Sequence, residues 1–214
     1  MQVKTKICGI TNPEDARAAV ELGADALGFN FYLKSPRYIE PERARLLIEG
    51  LPPLVSTVGV FVDERRPQQV VEIARATGLG TVQLHGSESP EYTRQIRPLP
   101  VFKAFGVGTG LELDRIAAFP VQAFLLDTAG GALPGGTGKA FDWDLALAAK
   151  RIGRVILAGG LNPDNVYEAI CRVRPYGIDV CSGIEREPGR KDHRKMAALF
   201  DEIHRARRES EGEK

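Results

Sequence analysis

Short runs of apolar and β-branched residues alternate with stretches of helical period from one end of the chain to the other, the pattern of successive strand–helix units. In the first half the strand-like runs are VKTKIC, DALGFNF, STVGVFV and TVQLH. Helix starts follow them at Asn12-Pro13 with Glu14, near Glu40-Pro41, at Pro67 and at Ser89. Proline suits the first helical position because its missing N–H has no partner there. In the second half VFKAFGV, AFLLD, RVILAGG and GIDVCSG read as strands, with helices expected near Leu111, Asp142, Asn162-Pro163 and Asp192.

Strands apolar on both faces need helices to cover them, and parallel strands need crossover connections. Eight such units can close into a (β/α)8 barrel that leaves no edge exposed, and this α/β barrel of eight parallel strands is the expected fold. A doubly wound sheet is the alternative. It ranks lower because eight units are packed into 214 residues, with glycine or polar residues ending nearly every strand, which suits a ring of loops on one rim. No linker or low-complexity tract interrupts the pattern, so residues 1–214 are expected to form one domain. A charged tail at about 208–214, within RRESEGEK, is expected to fray.

Composition narrows the functional classes. The chain is 43% hydrophobic and 27% charged, with a net charge of +1, so no electrostatic argument favours nucleic acid or an anionic membrane as partner. The N-terminal MQVKTKICGI carries no leader pattern, and no apolar run is long enough to span a bilayer, so a cytoplasmic location is expected. Cys8, Cys171 and Cys181 lack paired spacing, which argues against a disulfide framework or a C-x-x-C centre. Monomer and homodimer both stay open, since periodicity does not reveal exposed apolar patches.

In a barrel of this kind the chemistry lies where strands end and the following loops begin. Those ends are Cys8-Gly9, Asn30 with its SPRY loop, Asp63, Gln83 to His85, Gly106, Asp127, Gly159-Gly160 and Cys181-Ser182-Gly183. Three glycine-bearing segments come late: PGGTGKAFDW, AGGLNPDN and CSGIE. Glycine makes tight turns anywhere, but three such loops on neighbouring strands favour a phosphate held by main-chain N–H groups. Gly136, Gly138, Gly159, Gly160 and Gly183 would supply amides, and Thr137 and Ser182 hydroxyl donors. Cys8 taken alone reads first as a small buried hydrophobe. Asp127 is followed by a long glycine-rich loop rather than a helix start, so a capping role explains it poorly.

Taken together, KICGIT, GFNFYLKSPRYI, VGVFV, QLHG, LLDT with GGTGKAFDW, LAGGLNPDNV, and DVCSGIE with PGRKDH resemble the phosphoribosylanthranilate isomerases of tryptophan biosynthesis across all eight units. The resemblance implies an Amadori rearrangement of N-(5-phosphoribosyl)anthranilate to 1-(o-carboxyphenylamino)-1-deoxyribulose 5-phosphate. By motif it makes Cys8 the general base and Asp127 the general acid, with no metal and no cofactor. It puts Arg37 of the SPRY loop on the anthranilate carboxylate and Asp179 near the sugar. Gln83 is carried to the substrate side, while His85 and Glu185 are expected to support rather than react. The mechanism asks for a proton on Asp127 and none on Cys8, reversing the usual order of carboxylate and thiol; main-chain N–H donors are the expected means of holding the thiolate. Cys181 is expected near Cys8, since strands one and eight are neighbours in a closed barrel, with oxidation of the pair as a separate hypothesis.

Other readings stay open on the residues alone. A ribulose-phosphate epimerase would need His and Asp pairs for a metal, and an indole-glycerol-phosphate synthase would need rim lysines, whereas Lys103 lies mid-strand. A non-catalytic phosphate-binding protein would use the same glycine loops without reacting.

Overall fold

The computed structural model describes residues 3–107, 113–127 and 143–212. Eight parallel strands close into a barrel in chain order. They are β1 (Lys4–Ile7), β2 (Ala26–Asn30), β3 (Ser56–Phe61), β4 (Thr81–Leu84), β5 (Val101–Gly106), β6 (Ala123–Asp127), β7 (Val155–Ala158) and β8 (Gly177–Val180). Helices α1 (Pro13–Glu21), α2 (Pro41–Glu49), α3 (Pro67–Thr77), α4 (Pro90–Arg94), α5 (Leu113–Ala117), α6 (Trp143–Ala149) and α7 (Val166–Val173) follow the first seven strands, and α8 (His193–Gly212) closes the ring. The barrel expected from the sequence is therefore the one observed, and the doubly wound alternative falls.

Local chemistry explains where the helices begin. Four of them, α1 to α4, open with proline in the first turn. The side-chain oxygen of Asn12 accepts the Asp15 N–H (2.8 Å) and that of Ser89 accepts the Tyr92 N–H (3.1 Å), each satisfying an amide that has no partner inside the helix. The Asp192 carboxylate does the same for α8, accepting from the Arg194 and Lys195 amides.

The larger core lies between strands and helices, where outward residues such as Ile7, Leu27, Phe29, Leu84 and Leu126 are fully buried. A second, smaller cluster of Val58, Phe102, Ala104, Ala123, Leu125 and Ala158 fills the lumen. The strand period sets this division, since alternate residues face opposite sides. It also puts Lys6 on the inner face with Cys8, two residues further along.

Two departures from the sequence reading concern loops. The stretch from Asn162 turns rather than coiling: Asn162 Oδ1 accepts the Asp164 N–H, Asn165 Oδ1 accepts the Asn162 N–H, and α7 begins only at Val166. An unforeseen antiparallel hairpin, β9 (Glu185–Glu187) with β10 (Arg190–Lys191), sits between β8 and α8. Helix α8 runs to Gly212, into the charged stretch that begins near residue 208. Lys103 faces away from the lumen, forms a buried ion pair with Glu88 (3.3 Å) and donates to Gly86 O (2.7 Å). Glu88 in turn accepts from the Asp63 and Gly86 amides, tying together the loops after β3 and β4.

Candidate active site

A cavity of about 230 Å³ opens at the C-terminal rim of the barrel. Cys8, Arg37, Gln83, Asp127, Gly159, Gly160, Asp179, Ser182 and Gly183 all line it, joined by Asn30, His85 and Cys181. Every sequence-derived site residue that the structure describes is thus in one place. Gly136, Thr137 and Gly138 lie outside the described residues.

Cys8 follows β1 directly, its own N–H donating to Val180 O (2.9 Å) across the seam with β8. Its thiol is pulled well below the usual thiol range. The hydrogen bond with Cys181 is the largest cause, working against burial, and the Lys6 ammonium adds to it. The donors are therefore side chains, not the main-chain amides that the sequence suggested. Lys6 forms a buried ion pair with Asp179, Nζ to Oδ1 at 2.9 Å. Although burial pulls the Lys6 ammonium down, Asp179 and Cys8 hold it above its ordinary value. Burial pushes the Asp179 carboxyl up to about 7, against the pull of Lys6.

Gly28 on β2 makes this crowding sterically feasible. A side chain there would start 2.8 Å from Cys8 Sγ and 3.0 Å from Lys6 Nζ, closer than carbon atoms pack. Lys6 was absent from the sequence reading, although its signal was present: a lysine two residues before Cys8 shares its strand face.

Three strands round the ring from β1, Asp127 ends β6 and lines the same cavity. Gln83 from β4 donates its amide to His85 Nδ1 (2.8 Å). That leaves the proton of a neutral ring on Nε2, which stands 3.4 Å from Asp127 Oδ2. His85 thus lies beside the Asp127 carboxyl, in keeping with the supporting place expected of it.

Arg37 grips Glu185 of β9 by its side edge: Nε to Oε1 is 2.9 Å and Nη2 to Oε2 is 2.6 Å. Lys191 Nζ, fully buried, reaches the same carboxylate at 3.1 Å. Burial pushes Glu185 up, but the Arg37 and Lys191 bonds outweigh it and keep the carboxylate below its usual range. The pairing fixes the guanidinium plane while leaving its Nη1 end for a ligand. Between β7 and β8 the main-chain amides of Gly160, Leu161, Ser182 and Gly183 have no acceptor among the described residues. Gly159 and Gly160 both adopt positive φ (80° and 68°), and a Cβ on Gly183 would collide with Leu161 O. The absence of a side chain at Gly183 is what lets the two loops approach this closely, whereas at Gly160 it is the positive φ that calls for glycine.

Among the described residues, no group of His, Cys, Asp and Glu side chains is arranged to hold a metal ion, and no helix is long and apolar enough to cross a membrane.

Residues 5–202 match the family model described as N-(5'-phosphoribosyl)anthranilate (PRA) isomerase. The enzyme of that name from Trichlorobacter lovleyi is 54% identical over 195 residues, covering 91% of this chain and 94% of that one. Among solved structures, phosphoribosyl anthranilate isomerase from Thermotoga maritima superposes with a TM-score of 0.87 at 47% identity, covering 95% of this chain and 99% of that one. A phosphoribosyl anthranilate isomerase solved with reduced 1-(o-carboxyphenylamino)-1-deoxyribulose 5-phosphate gives 0.84 at 43% identity, with the same coverage. With the rim residues converging on one cavity and the match running through nearly the whole barrel, the chain belongs to the N-(5'-phosphoribosyl)anthranilate isomerase family.

Proposed function

We propose that this protein converts N-(5-phosphoribosyl)anthranilate to 1-(o-carboxyphenylamino)-1-deoxyribulose 5-phosphate in tryptophan biosynthesis, with Asp127 as general acid and Cys8 as general base. The observation that carries the reading is that Cys8, following β1, and Asp127, ending β6, line one cavity at the barrel rim.

Asp127 gives its proton to the furanose ring oxygen as the C1–O bond breaks, and the amine lone pair closes a C1=N iminium. The Cys8 thiolate then takes the proton from C2. The C2–H electrons form the C1=C2 bond of an enolamine, and the iminium electrons return to nitrogen. Transfer of the enol proton to C1 gives the ketone. The iminium is itself the electron sink and no net electrons leave the substrate, so the chemistry calls for neither metal nor redox cofactor. Cys8 and Asp127 return to their starting states by proton exchange with solvent.

The open amides of Gly160, Leu161, Ser182 and Gly183 suit the phosphate, with the Ser182 hydroxyl as a further donor and Gly159 giving the loop its turn. Asp179 and Gln83 attend the ribose, and the free end of the Arg37 fork takes the anthranilate carboxylate. Arg37→Lys keeps a charge beside Glu185 and loses the planar fork. It is expected to raise KM roughly tenfold or more, since charged hydrogen bonds are worth about 1.5–3 kcal/mol, with a smaller change in kcat; initial rates across a substrate series would register it.

The direct test is the fluorescence of phosphoribosylanthranilate during incubation with purified protein, with and without a chelator. Equal consumption in both is expected. No consumption would overturn the assignment, and loss on adding chelator would overturn the metal-free mechanism. Reduced 1-(o-carboxyphenylamino)-1-deoxyribulose 5-phosphate, unable to react, serves as the binding probe for variants.

A further inference from the structure

The segment after β8 folds back as the hairpin β9–β10, whose register sets Glu185 opposite Lys191. Opposite charges directly across a strand pair attract, and here both side chains are buried. Gly189, at φ 80°, turns the hairpin, donates its N–H to Glu185 Oε1 (3.2 Å) and accepts the Thr11 hydroxyl on its carbonyl (2.6 Å). The Lys191 N–H reaches Asp15 Oδ2 at 2.9 Å. The hairpin is thereby tied at its tip and its end to the chain that follows β1. Arg37 arrives from the loop after β2, with its Cδ 2.8 Å from where a Gly9 side chain would begin. Glycine at this position leaves open the path by which the guanidinium reaches Glu185.

We propose that Lys191 is a positioning residue for the substrate: it offsets the Glu185 charge, so that the cluster of Arg37, Glu185 and Lys191 fixes the guanidinium yet presents a net positive charge to the substrate carboxylate. The inference rests on Arg37 holding the anthranilate carboxylate. It deepens that reading by naming what gives the site its charge.

Glu185 alone accomplishes half of this. Its Oε1 accepts from Arg37 Nε (2.9 Å), Lys191 Nζ (3.1 Å) and the Gly189 N–H, and its Oε2 from Arg37 Nη2 (2.6 Å). These bonds lock the fork, but one carboxylate against one guanidinium leaves no net charge. A second anion brought to such a pair is attracted by the near end and repelled by the carboxylate behind it. Lys191 cancels that repulsion. Among the described residues Glu185 Oε1 is the one carboxylate oxygen that its Nζ reaches, the other contacts being Cys181 O (3.3 Å) and Cys181 Sγ (3.8 Å). The Asp15 carboxylate is taken up by Asn12, by His193 and by the main-chain N–H of Lys191 rather than by its ammonium. From α8, exposed Lys195 donates to Glu185 O (3.1 Å), adding charge of the same sign where water screens it. Arg37 lines the cavity and neither Glu185 nor Lys191 does, so both act on a ligand through Arg37. Buried charges are screened little, and a cation that never touches the ligand still contributes.

Two ligands read the effect by calorimetry on the full chain: the reduced product, and the same molecule without its carboxylate, reduced 1-anilino-1-deoxyribulose 5-phosphate. Lys191→Met keeps the reach of the side chain and removes its charge. It is expected to weaken the carboxylated ligand about tenfold and to leave the other within about twofold. KM for the substrate is expected to rise by a similar factor, with a smaller change in kcat. Adding Glu185→Gln to Lys191→Met removes the opposing anion as well, so Arg37 again faces the ligand with its full charge. Most of the lost affinity is expected to return. A side chain that merely props the hairpin would give no such recovery, because the second substitution takes away a further ion pair.

Equal losses for both ligands in Lys191→Met, no loss for either, or a double variant as weak as the single one would overturn the charge offset. If Lys191→Met does not fold, the double variant carries the test alone: its preference for the carboxylated ligand is expected to survive, and loss of that preference overturns the inference. The reading beneath it fails in a different way. Should the unsubstituted protein bind both ligands alike, Arg37 does not hold the carboxylate, and the role of Lys191 falls with it. Neither binding measurement depends on Cys8 or Asp127 reacting.

Discussion

Replacing Cys8 with serine is expected to remove turnover while leaving the reduced product bound as tightly as before. The substitution changes one atom, and serine fits wherever cysteine fits. What it removes is a base available near neutral pH. The surroundings of Cys8, Cys181 and Lys6 foremost, pull its thiol below the usual range and so favour a soft anion that an alcohol will not form. General-base catalysis is typically worth about 10²–10⁴-fold, so kcat is expected to fall by at least that range. Single-turnover rates, together with calorimetric binding of the reduced product, separate chemistry from affinity. Serine turning over at the native rate would eliminate Cys8 as base.

Asp127→Asn is expected to show the second large effect. The amide has the shape of the carboxyl and still faces His85, whose Nε2 lies 3.4 Å from Asp127 Oδ2, but it has no acidic proton for the ring oxygen. A loss of about 10²–10⁴-fold in kcat is expected, again with binding of the reduced product retained. The two variants differ in where the reaction stops. Asp127→Asn leaves the furanose ring closed, whereas Cys8→Ser permits ring opening and leaves the C2 proton in place. Substrate deuterated at C2 therefore separates them: a primary isotope effect belongs to the base-limited variant and not to the acid-limited one. Residual activity near the native level in Asp127→Asn would shift the acid role to another group on the rim.

The parts of the molecule legible in sequence were those set by local rules. Strand and helix alternation gave the eight units, proline marked the starts of α1 to α4, and the strand ends supplied the rim. Cys8 and Asp127 were found because a polar residue after an apolar run stands out at a strand end. The resemblance supplied their roles. Less accessible were partnerships between distant segments. Arg37 and Glu185 lie 148 residues apart, and no spacing rule announces that an arginine expected to wait for a ligand is already half engaged. Lys6 was lost for a different reason. A lysine alternating with apolar residues reads as a solvent face, and only closure of the barrel turns that face into an interior. The asparagines of LNPDN favoured a helix start at Asn162, yet their side chains bond main-chain amides within the loop, which delays α7 to Val166.

The meeting of β1 and β8 also bears on how activity is acquired during synthesis. Lys6 and Asp179 are 173 residues apart, and both cysteines sit on the same junction. A ribosome releases the first strand long before the last, so the early units can gather and bury apolar surface while lacking any competent thiolate. Catalytic capacity is then the final property to emerge, acquired in a single step when the eighth strand docks beside the first, and its appearance in time would report ring closure rather than collapse.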